Sequence, residues 1–300
     1  MTRGFQPLVR PTESRASARQ TVSEEVFLAE SAEPDNNEVL LELQGLHMSF
    51  GKVHALEGVS LKVRRGEIHS VIGPNGAGKT VMMNCINGLY HPREGNILFK
   101  GQSINGRKPC QRSQMGMART FQKVEVFGGM TVLDNIRLGR HNHYRSGIVS
   151  GSVFIGKTAK EEIQHRAFIE EEIIDFLEIQ HIRHKPVGML PYGLQKRVEL
   201  GRALALEPDL LILDEPLAGL NLEEVEDMAR FILDINEEKR WKVTCLLVEH
   251  DMGVVMDLSD RVFVLNFGRM IMDGTPAQVQ NNPDVIKAYL GEEDLYATRR

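Results

Sequence analysis

The chain of 300 residues contains the stretch Gly73-Pro74-Asn75-Gly76-Ala77-Gly78-Lys79-Thr80, which matches the phosphate-binding pattern G-x-x-x-x-G-K-[ST]. The apolar run at residues 68–72 precedes it and predicts a buried strand, and residues 81–86 predict a helix after it. Strand, loop and helix in this order are the context that the motif requires. A glycine-rich turn without a ligand is the alternative, and the flanking elements argue against it.

The residue types in this loop suit a nucleoside triphosphate. Glycines let successive N–H groups point inward at phosphate oxygens, and the start of the following helix adds its positive end. In such a loop Lys79 reaches the β- and γ-phosphates, and the hydroxyl of Thr80 binds Mg²⁺. We therefore predict that the chain binds a nucleoside triphosphate together with Mg²⁺.

A second segment carries the acids that such a site needs. Residues 210–216 read Leu-Leu-Ile-Leu-Asp-Glu-Pro. The apolar run predicts a buried parallel strand with its carboxylates at the C-terminal edge, where open α/β sheets place their ligands. Asp214 is expected to hold Mg²⁺, directly or through water, and Glu215 to polarise a water molecule beside the γ-phosphate. Two solvated acids at a strand end are the alternative, which the phosphate loop makes less plausible.

Further segments complete a known pattern. Residues 246–251, Leu-Leu-Val-Glu-His-Asp, predict an apolar strand that ends in a histidine, His250. From about Leu41 to about Gly291 the chain resembles the ATP-binding-cassette (ABC) ATPases. The matching positions are the adenine-stacking aromatic, the Q-loop glutamine, the signature segment and the switch histidine, which fall at Phe50, Gln122, Leu190-Pro191-Tyr192-Gly193-Leu194 and His250.

This resemblance implies the fold and the chemistry. It implies an α/β P-loop NTPase with a parallel, RecA-like core, an antiparallel β subdomain and a helical subdomain at about residues 123–200. Two such subunits would sandwich two ATP molecules, each site joining one phosphate loop to the other subunit's signature segment. Gln122 would contact Mg²⁺ and the attacking water, and His250 would contact the γ-phosphate. The backbone from Gly73 to Val81 and the ring of Phe50 would bind the nucleotide.

The chain departs from the usual family pattern at three places. The usual signature is Leu-Ser-Gly-Gly-Gln, and Pro191 removes both the serine hydroxyl and the N–H at the second position. Asn221 stands where the D-loop, Ala218-Gly219-Leu220-Asn221, usually has aspartate. Val81 replaces the hydroxyl residue that often follows the loop threonine. Because Lys79, Asp214 and Glu215 are retained, we predict an ATPase whose activity depends on its partners.

A narrower resemblance concerns the branched-chain amino acid type of importer ATPase. It is carried by residues 118–122, Ala-Arg-Thr-Phe-Gln, by residues 130–136, and by the closing run Val-Ile-Lys-Ala-Tyr-Leu-Gly at 285–291. In that group two related ATPases, as a heterodimer or a homodimer, serve two permease subunits and a periplasmic binding protein. The cargo of the group includes branched-chain amino acids, urea, other amides and aromatic acids. It does not touch the ATPase.

Composition agrees with a soluble cytoplasmic subunit, and the resemblance implies that it binds through permease subunits at the cytoplasmic face of the inner membrane. Hydrophobic residues make up 42% and charged residues 26% of the chain, as in a globular protein with a large core. The net charge of −5 gives no general attraction to nucleic acid. No apolar run approaches the roughly 20 residues that span a bilayer. We expect a disordered extension at residues 1–38, an ABC domain at 39–291 and a tail at 292–300.

Local patterns give further expectations. Strands near 40–47, 58–64 and 95–101 predict the antiparallel sheet, and residues 261–273 predict a hairpin around Asn-Phe-Gly. Residues 159–178 predict one amphipathic helix, and the polar stretch 139–160 predicts a solvated loop, with its two histidines as an unlikely metal site. Cys85 and Cys245 are expected in the core.

Two other functions remain open. A lipid or lipopolysaccharide exporter uses a closely related cassette, although its signature is usually nearer the standard form. Soluble cassettes of DNA repair or translation carry tandem cassettes, long coiled coils, zinc modules or basic arms, and this chain has none of those patterns. A P-loop kinase or GTPase would leave residues 190–203 unexplained.

Overall fold

The computed structural model describes residues 38–143, 157–238 and 240–289. The extension expected at residues 1–38 and the tail expected at 292–300 therefore lie outside the described residues, except for Glu38. Within the described part, two β-sheets and a set of α-helices surround three clusters of buried apolar side chains.

The smaller sheet is antiparallel. Its strands are β1 (Val39–Phe50), β2 (Val53–Arg64), β4 (Glu94–Phe99) and β5 (Gln102–Ser103), in the order β2-β1-β4-β5. Buried and exposed residues alternate along β2, which is the period expected of a strand with one face on the core. This confirms the antiparallel sheet predicted from the sequence.

The larger sheet carries the predicted parallel core. Its six strands are β3 (Ile68–Ile72), β6 (Met117–Arg119), β7 (Leu210–Asp214), β8 (Thr244–Val248), β9 (Arg261–Asn266) and β10 (Arg269–Gly274), in the order β10-β9-β3-β8-β7-β6. Every residue of β3, β7 and β8 is buried, as expected for strands covered on both faces. The α/β fold class is confirmed, and the predicted hairpin closes this sheet as β9 and β10.

The helices flank the larger sheet and extend beyond its β6 edge. They are α1 (Lys79–Asn87), α2 (Pro109–Gln114), α3 (Val132–Gly139), α4 (Lys157–Phe168), α5 (Tyr192–Leu204), α6 (Leu222–Glu237), α7 (Met252–Leu258) and α8 (Pro276–Gln280). Short 3₁₀ segments lie at Arg140–His143, Gln180–Ile182 and Val187–Met189. Helix α3 packs against α5, and their apolar faces join the cluster that also covers β7 and β8.

Three local predictions differ from the structure in their bounds. The helix expected at 159–178 ends as α4 and continues as a π-helical segment, Ile169–Ile174. Ile169 and Ile173 of the π-helical segment are buried, whereas Ile163 of α4 is 67% exposed. The loop expected at 139–160 contains the 3₁₀ turn at 140–143 and the start of α4, and residues 144–156 are not described. The strand expected to end at His250 ends at Val248.

Arg112 and His69 are two of the ionisable groups that the fold buries. Arg112 is 2% exposed, and its guanidinium donates to the carbonyls of Cys85 and Ile86 at the end of α1. His69, in the middle of β3, lies between Glu67, 3.0 Å from its Nδ1, and Asp273, 3.5 Å from its Nε2. Burial opposes the charged imidazolium, but these two carboxylates outweigh it and raise the pKa of His69 above its ordinary value.

No helix in the described part of the chain is long and apolar enough to cross a bilayer. The described residues also hold no group of three or more His, Cys, Asp or Glu side chains placed to bind a metal ion, and the ring nitrogens of His141 and His143 instead lie within hydrogen-bond distance of the carbonyls of Leu138 and Leu206. Cys85 and Cys245 are buried, as predicted.

Candidate functional site

The phosphate loop connects the end of β3 to the start of α1. Two of its glycines are required by their conformation and surroundings. Gly73 has φ +150°, and a Cβ there would lie 2.0 Å from the carbonyl oxygen of Leu265. Gly78 has φ +108°, and a Cβ there would lie 2.6 Å from the carbonyl oxygen of Ala55. Backbone carbonyls of β2 and β9 therefore lie so close to the loop that only glycine fits at these two positions.

Lys79 and Thr80 stand at the first turn of α1. The ammonium of Lys79 donates to the carbonyls of Gly73 at 2.5 Å and Pro74 at 3.1 Å, so it lies over the loop. Thr80 is exposed at the surface of the site. Gly78 caps the helix without a side-chain hydrogen bond, so its first-turn N–H groups have no side-chain cap to satisfy them. A loop with a lysine and a helix N-terminus is suited to bind phosphate.

The acidic end of β7 lies at the same edge of the sheet as this loop, with β8 between β7 and β3. Asp214 is 4% exposed, and its Oδ2 accepts a hydrogen bond of 2.6 Å from Nη2 of Arg119. Glu215, the next residue, has φ +50°, a left-handed backbone conformation that non-glycine residues rarely adopt. The N–H of Glu215 donates to the carbonyl of Val248 on β8, which holds the turn in place. Strained backbone of this kind is concentrated at functional sites.

Two other predicted site residues contact the carboxylate of Glu215. Nε2 of His250 lies 2.6 Å from Oε1 of Glu215, and the amide of Gln122 donates to Oε2 at 2.8 Å. The side chain of Glu215 is 15% exposed and that of His250 is 45% exposed, so the pair faces the open site. The Q-loop, the acidic strand and the loop after β8 thus bring their polar side chains to one carboxylate.

The predicted signature segment lies at the start of α5. Leu190 is buried, Pro191 is the N-cap residue, and α5 begins at Tyr192. The ring of Tyr192 packs on the D-loop at Gly219, where an added Cβ would lie 3.2 Å from the ring. Asn221 at the end of the D-loop caps α6, and its side chain accepts from the N–H of Glu224. Two of the three departures from the family pattern, Pro191 and Asn221, therefore occupy N-cap positions, and asparagine is a favoured N-cap residue.

A buried charged cluster that sequence reasoning missed joins α5 to the acidic strand. Lys196 is 4% exposed and donates to the carbonyls of Glu215 and Pro216, each at 2.9 Å. Glu199, also on α5, accepts from the N–H of Phe121 at the Q-loop. Glu249 accepts from the N–H groups of Leu217 and His250.

Burial sets the pKa values of this cluster. It lowers the pKa of Lys196 below its ordinary value, although the nearby Glu249, Glu199 and Glu215 oppose the shift. Burial raises the pKa of Glu199 and of Glu249 above their ordinary values, against backbone N–H donors and Lys196. In the sequence, Lys196 and Glu199 are two charged residues three apart in the expected helical subdomain, and such a pair normally indicates a solvated helix face.

The proposed adenine-stacking aromatic lies at the end of β1. Phe50 is 44% exposed, and its ring meets that of Tyr90 edge to face with centroids 5.3 Å apart. An exposed ring face is available for a planar ligand. Tyr90 was not among the predicted site residues.

Comparison with known proteins agrees with this geometry. The sequence model of the ABC transporter family matches residues 56–218, and that of the branched-chain amino acid ATP-binding cassette transporters matches residues 269–294. The high-affinity branched-chain amino acid transport ATP-binding protein LivG of Escherichia coli is 42% identical over 255 residues, covering 84% of this chain and 98% of LivG. The corresponding protein BraF of Pseudomonas aeruginosa is 40% identical over 256 residues, with the same coverage.

Solved structures give the same result for the fold. A nucleotide-free ATP-binding cassette from an ABC transporter has a TM-score of 0.72 at 30% identity, covering 84% of this chain and 98% of that one. An ADP-bound cassette of an ABC transporter also has a TM-score of 0.72 at 30% identity, with 84% and 99% covered. The phosphate loop, the acidic strand and these similarities together place the chain in the family of ABC transporter ATP-binding proteins.

Proposed function

We propose that the chain is the ATP-hydrolysing subunit of an ABC importer that takes up branched-chain amino acids. The observation that carries the proposal is the convergence of Gln122 and His250 on Glu215, at the sheet edge that also carries the phosphate loop with Lys79. ATP-binding proteins of ABC transporters hydrolyse ATP to drive transport. The similarity to LivG and BraF supports the choice of branched-chain amino acids as cargo.

The donor atoms in this site fit Mg²⁺. Thr80, Gln122 and Asp214 offer a hydroxyl, an amide and a carboxylate oxygen, and Mg²⁺ prefers oxygen ligands. The amide nitrogen of Gln122 is bonded to Glu215, which leaves its amide oxygen for the ion. When bound, the ion would offset the negative charge that develops on the phosphoryl oxygens.

The chain's own residues would perform the remaining chemistry. Lys79 would leave the loop carbonyls and bind the β- and γ-phosphates, while the N–H groups of residues 76–81 surround them. Glu215 would orient the attacking water and accept its proton. His250 is held 2.6 Å from this carboxylate and would contact the γ-phosphate. Phe50 would stack on the adenine.

The site is completed by a second ATPase subunit. We propose that residues 190–194 act on the nucleotide held by the partner, in a heterodimer or a homodimer. Gly193 retains the backbone N–H that Pro191 lacks, and the contact of Tyr192 with Gly219 joins this segment to the D-loop of its own subunit. Hydrolysis would then require both subunits to close.

The surface beside the Q-loop would bind the permeases at the cytoplasmic face of the membrane. A cleft of about 210 Å³ lies between α1, α2 and β6, and Leu89, Pro109 and Phe121 are among its lining residues. Leu89 is 52% exposed and Phe127, further along the Q-loop, is 56% exposed. Apolar side chains around a cleft suit a docking helix. The periplasmic binding protein would act through the permeases only.

The proposal is tested by ATP hydrolysis in proteoliposomes that contain this chain, its second ATPase and the two permeases. We expect stimulation by the binding protein loaded with leucine, isoleucine or valine, and no stimulation by the same protein without ligand. Glu215→Gln and Lys79→Ala complexes serve as inactive controls. Full activity of the chain in solution, unaffected by every membrane component, would contradict the transport role.

A further inference from the structure

We propose that Arg119 is a positioning residue that sets the spacing of the Mg²⁺-binding groups. The inference rests on the Mg²⁺ site proposed above. Arg119 is the last residue of β6, and its side chain is 8% exposed. Its side-chain hydrogen bonds go to Asn84 and Asp214, so its effect on the site would pass through the residues that it holds.

The first contact fixes the carboxylate of Asp214. Nη2 of Arg119 donates to Oδ2 at 2.6 Å, and the side chain of Asp214 is 6% exposed. A short bond between a guanidinium and a carboxylate, both buried, is strong and directional. With Oδ2 engaged, Oδ1 is the oxygen that remains for the ion or its water. Arg119 thereby selects the rotation of the carboxylate.

The second contact fixes the helix that carries Thr80. Nη1 of Arg119 donates to Oδ1 of Asn84 at 2.8 Å. Asn84 lies four residues after Thr80 in α1, so the two side chains project from the same face of the helix. One guanidinium therefore joins the helix of one proposed ligand to the carboxylate of another. Nε of Arg119 is buried without a hydrogen-bond partner, so the side-chain hydrogen bonds of the guanidinium go to Asp214 and to the helix that carries Thr80.

The third connection runs along the backbone from Arg119 to Gln122. Arg119 pairs with Ile212 in the parallel ladder between β6 and β7, and the N–H of Thr120 donates to the carbonyl of Ile212. Gln122 follows Arg119 by three residues along the chain. Arg119 is thus connected to all three proposed ligands, through Asn84, through Asp214 and through the Q-loop backbone.

A purely structural role makes a different prediction. If Arg119 only offsets the charge of Asp214, its loss lowers stability and leaves the Mg²⁺ requirement unchanged. If it sets the ligand spacing, its loss raises the Mg²⁺ concentration needed for nucleotide binding. The matched control is Arg112, another buried arginine, which holds carbonyls at the far end of α1 rather than metal-binding groups.

The test is equilibrium binding of a fluorescent ATP analogue to the full-length chain, titrated with Mg²⁺ and repeated in EDTA. For Arg119→Met we expect the Mg²⁺ midpoint to rise at least ten-fold while affinity in EDTA stays within two-fold of wild type. Asn84→Ala, which removes one contact only, is expected to give a two- to five-fold rise. Arg112→Met is expected to lower Tm without moving the Mg²⁺ midpoint.

The outcomes separate this inference from the proposed metal site. An unchanged or lowered midpoint in both Arg119→Met and Asn84→Ala, with a normal wild-type response to Mg²⁺, would overturn the role of Arg119 alone. Should wild type itself bind the analogue equally well in Mg²⁺ and in EDTA, the metal site would be wrong. If Arg119→Met does not fold, Asn84→Ala decides the question.

Discussion

Replacing Lys196 with methionine should destabilise the protein strongly, although methionine preserves most of the apolar stem. The ammonium donates to two backbone carbonyls, those of Glu215 and Pro216, each at 2.9 Å and largely out of water. A hydrogen bond from a charged group contributes about 1.5–3 kcal/mol, so two of them contribute about 3–6 kcal/mol. Methionine recovers part of this through packing, and we expect a net loss of about 3–5 kcal/mol, as for a broken buried ion pair.

The variant should also respond differently to pH. Glu199 and Glu249 already have raised pKa values because of burial, and Lys196 is one of the groups that oppose this shift. Without Lys196 both pKa values rise further. A carboxylate with a raised folded pKa destabilises the fold as pH increases through that value. The loss caused by Lys196→Met should therefore be larger at pH 8 than at pH 5.

The assay is urea denaturation followed by tryptophan fluorescence and circular dichroism at both pH values. The matched control is Lys62→Met, because Lys62 is 64% exposed and forms a surface pair with Glu42 at 3.2 Å. We expect that control to lose less than about 1 kcal/mol. A free energy of unfolding for Lys196→Met within about 0.5 kcal/mol of the control would refute the reasoning from buried hydrogen bonds.

Three further predictions concern other parts of the fold. Because the folded pKa of His69 is raised, this residue stabilises the protein at pH values below its ordinary pKa of 6.5, and the contribution is lost as pH rises through the folded pKa. The free energy of unfolding of wild type should therefore fall from pH 6 to 8, and that of His69→Gln should fall less. Native protein should react with one equivalent of a thiol reagent at the exposed Cys110, because burial raises the pKa of Cys85 to about 11 and of Cys245 to about 12; three equivalents in the native state would contradict this. Asn221→Ala should lower stability by about 1 kcal/mol through loss of the α6 cap, whereas Asn221→Asp should keep it; equal thermal melts for the two variants would count against the cap.

The elements that sequence reasoning placed well are those with strong local signals. Strands β3 and β7 match their predicted bounds, because each is an apolar run that stops at a glycine or an acid. The order of the motifs along the chain also predicts that the phosphate loop and Asp214 meet at one edge of the sheet. The signal for each strand lies within a few consecutive residues, so it can be read without knowledge of packing.

The features that were missed depend on contacts between distant segments. Arg119 and Asp214 are 95 residues apart, and only the register of β6 against β7 brings them together. Lys196 resembles a solvated helix residue until α5 is packed against the turn after β7. The single helix expected at 159–178 differs for another reason, because the π-helical segment after α4 interrupts a helical period that the sequence pattern treats as continuous.

The most direct test of the central claim is single-turnover ATP hydrolysis by the reconstituted complex with Glu215→Gln in this chain, with the hydrolytic site of the second ATPase inactivated in every sample. Because Glu215 is assigned to the attacking water and not to nucleotide binding, the variant should bind ATP with a Kd within three-fold of wild type. Its hydrolysis should fall by about 10²–10⁴-fold, the usual contribution of a general base, while Lys79→Ala should lose binding as well. Hydrolysis by Glu215→Gln near the wild-type rate would contradict the account.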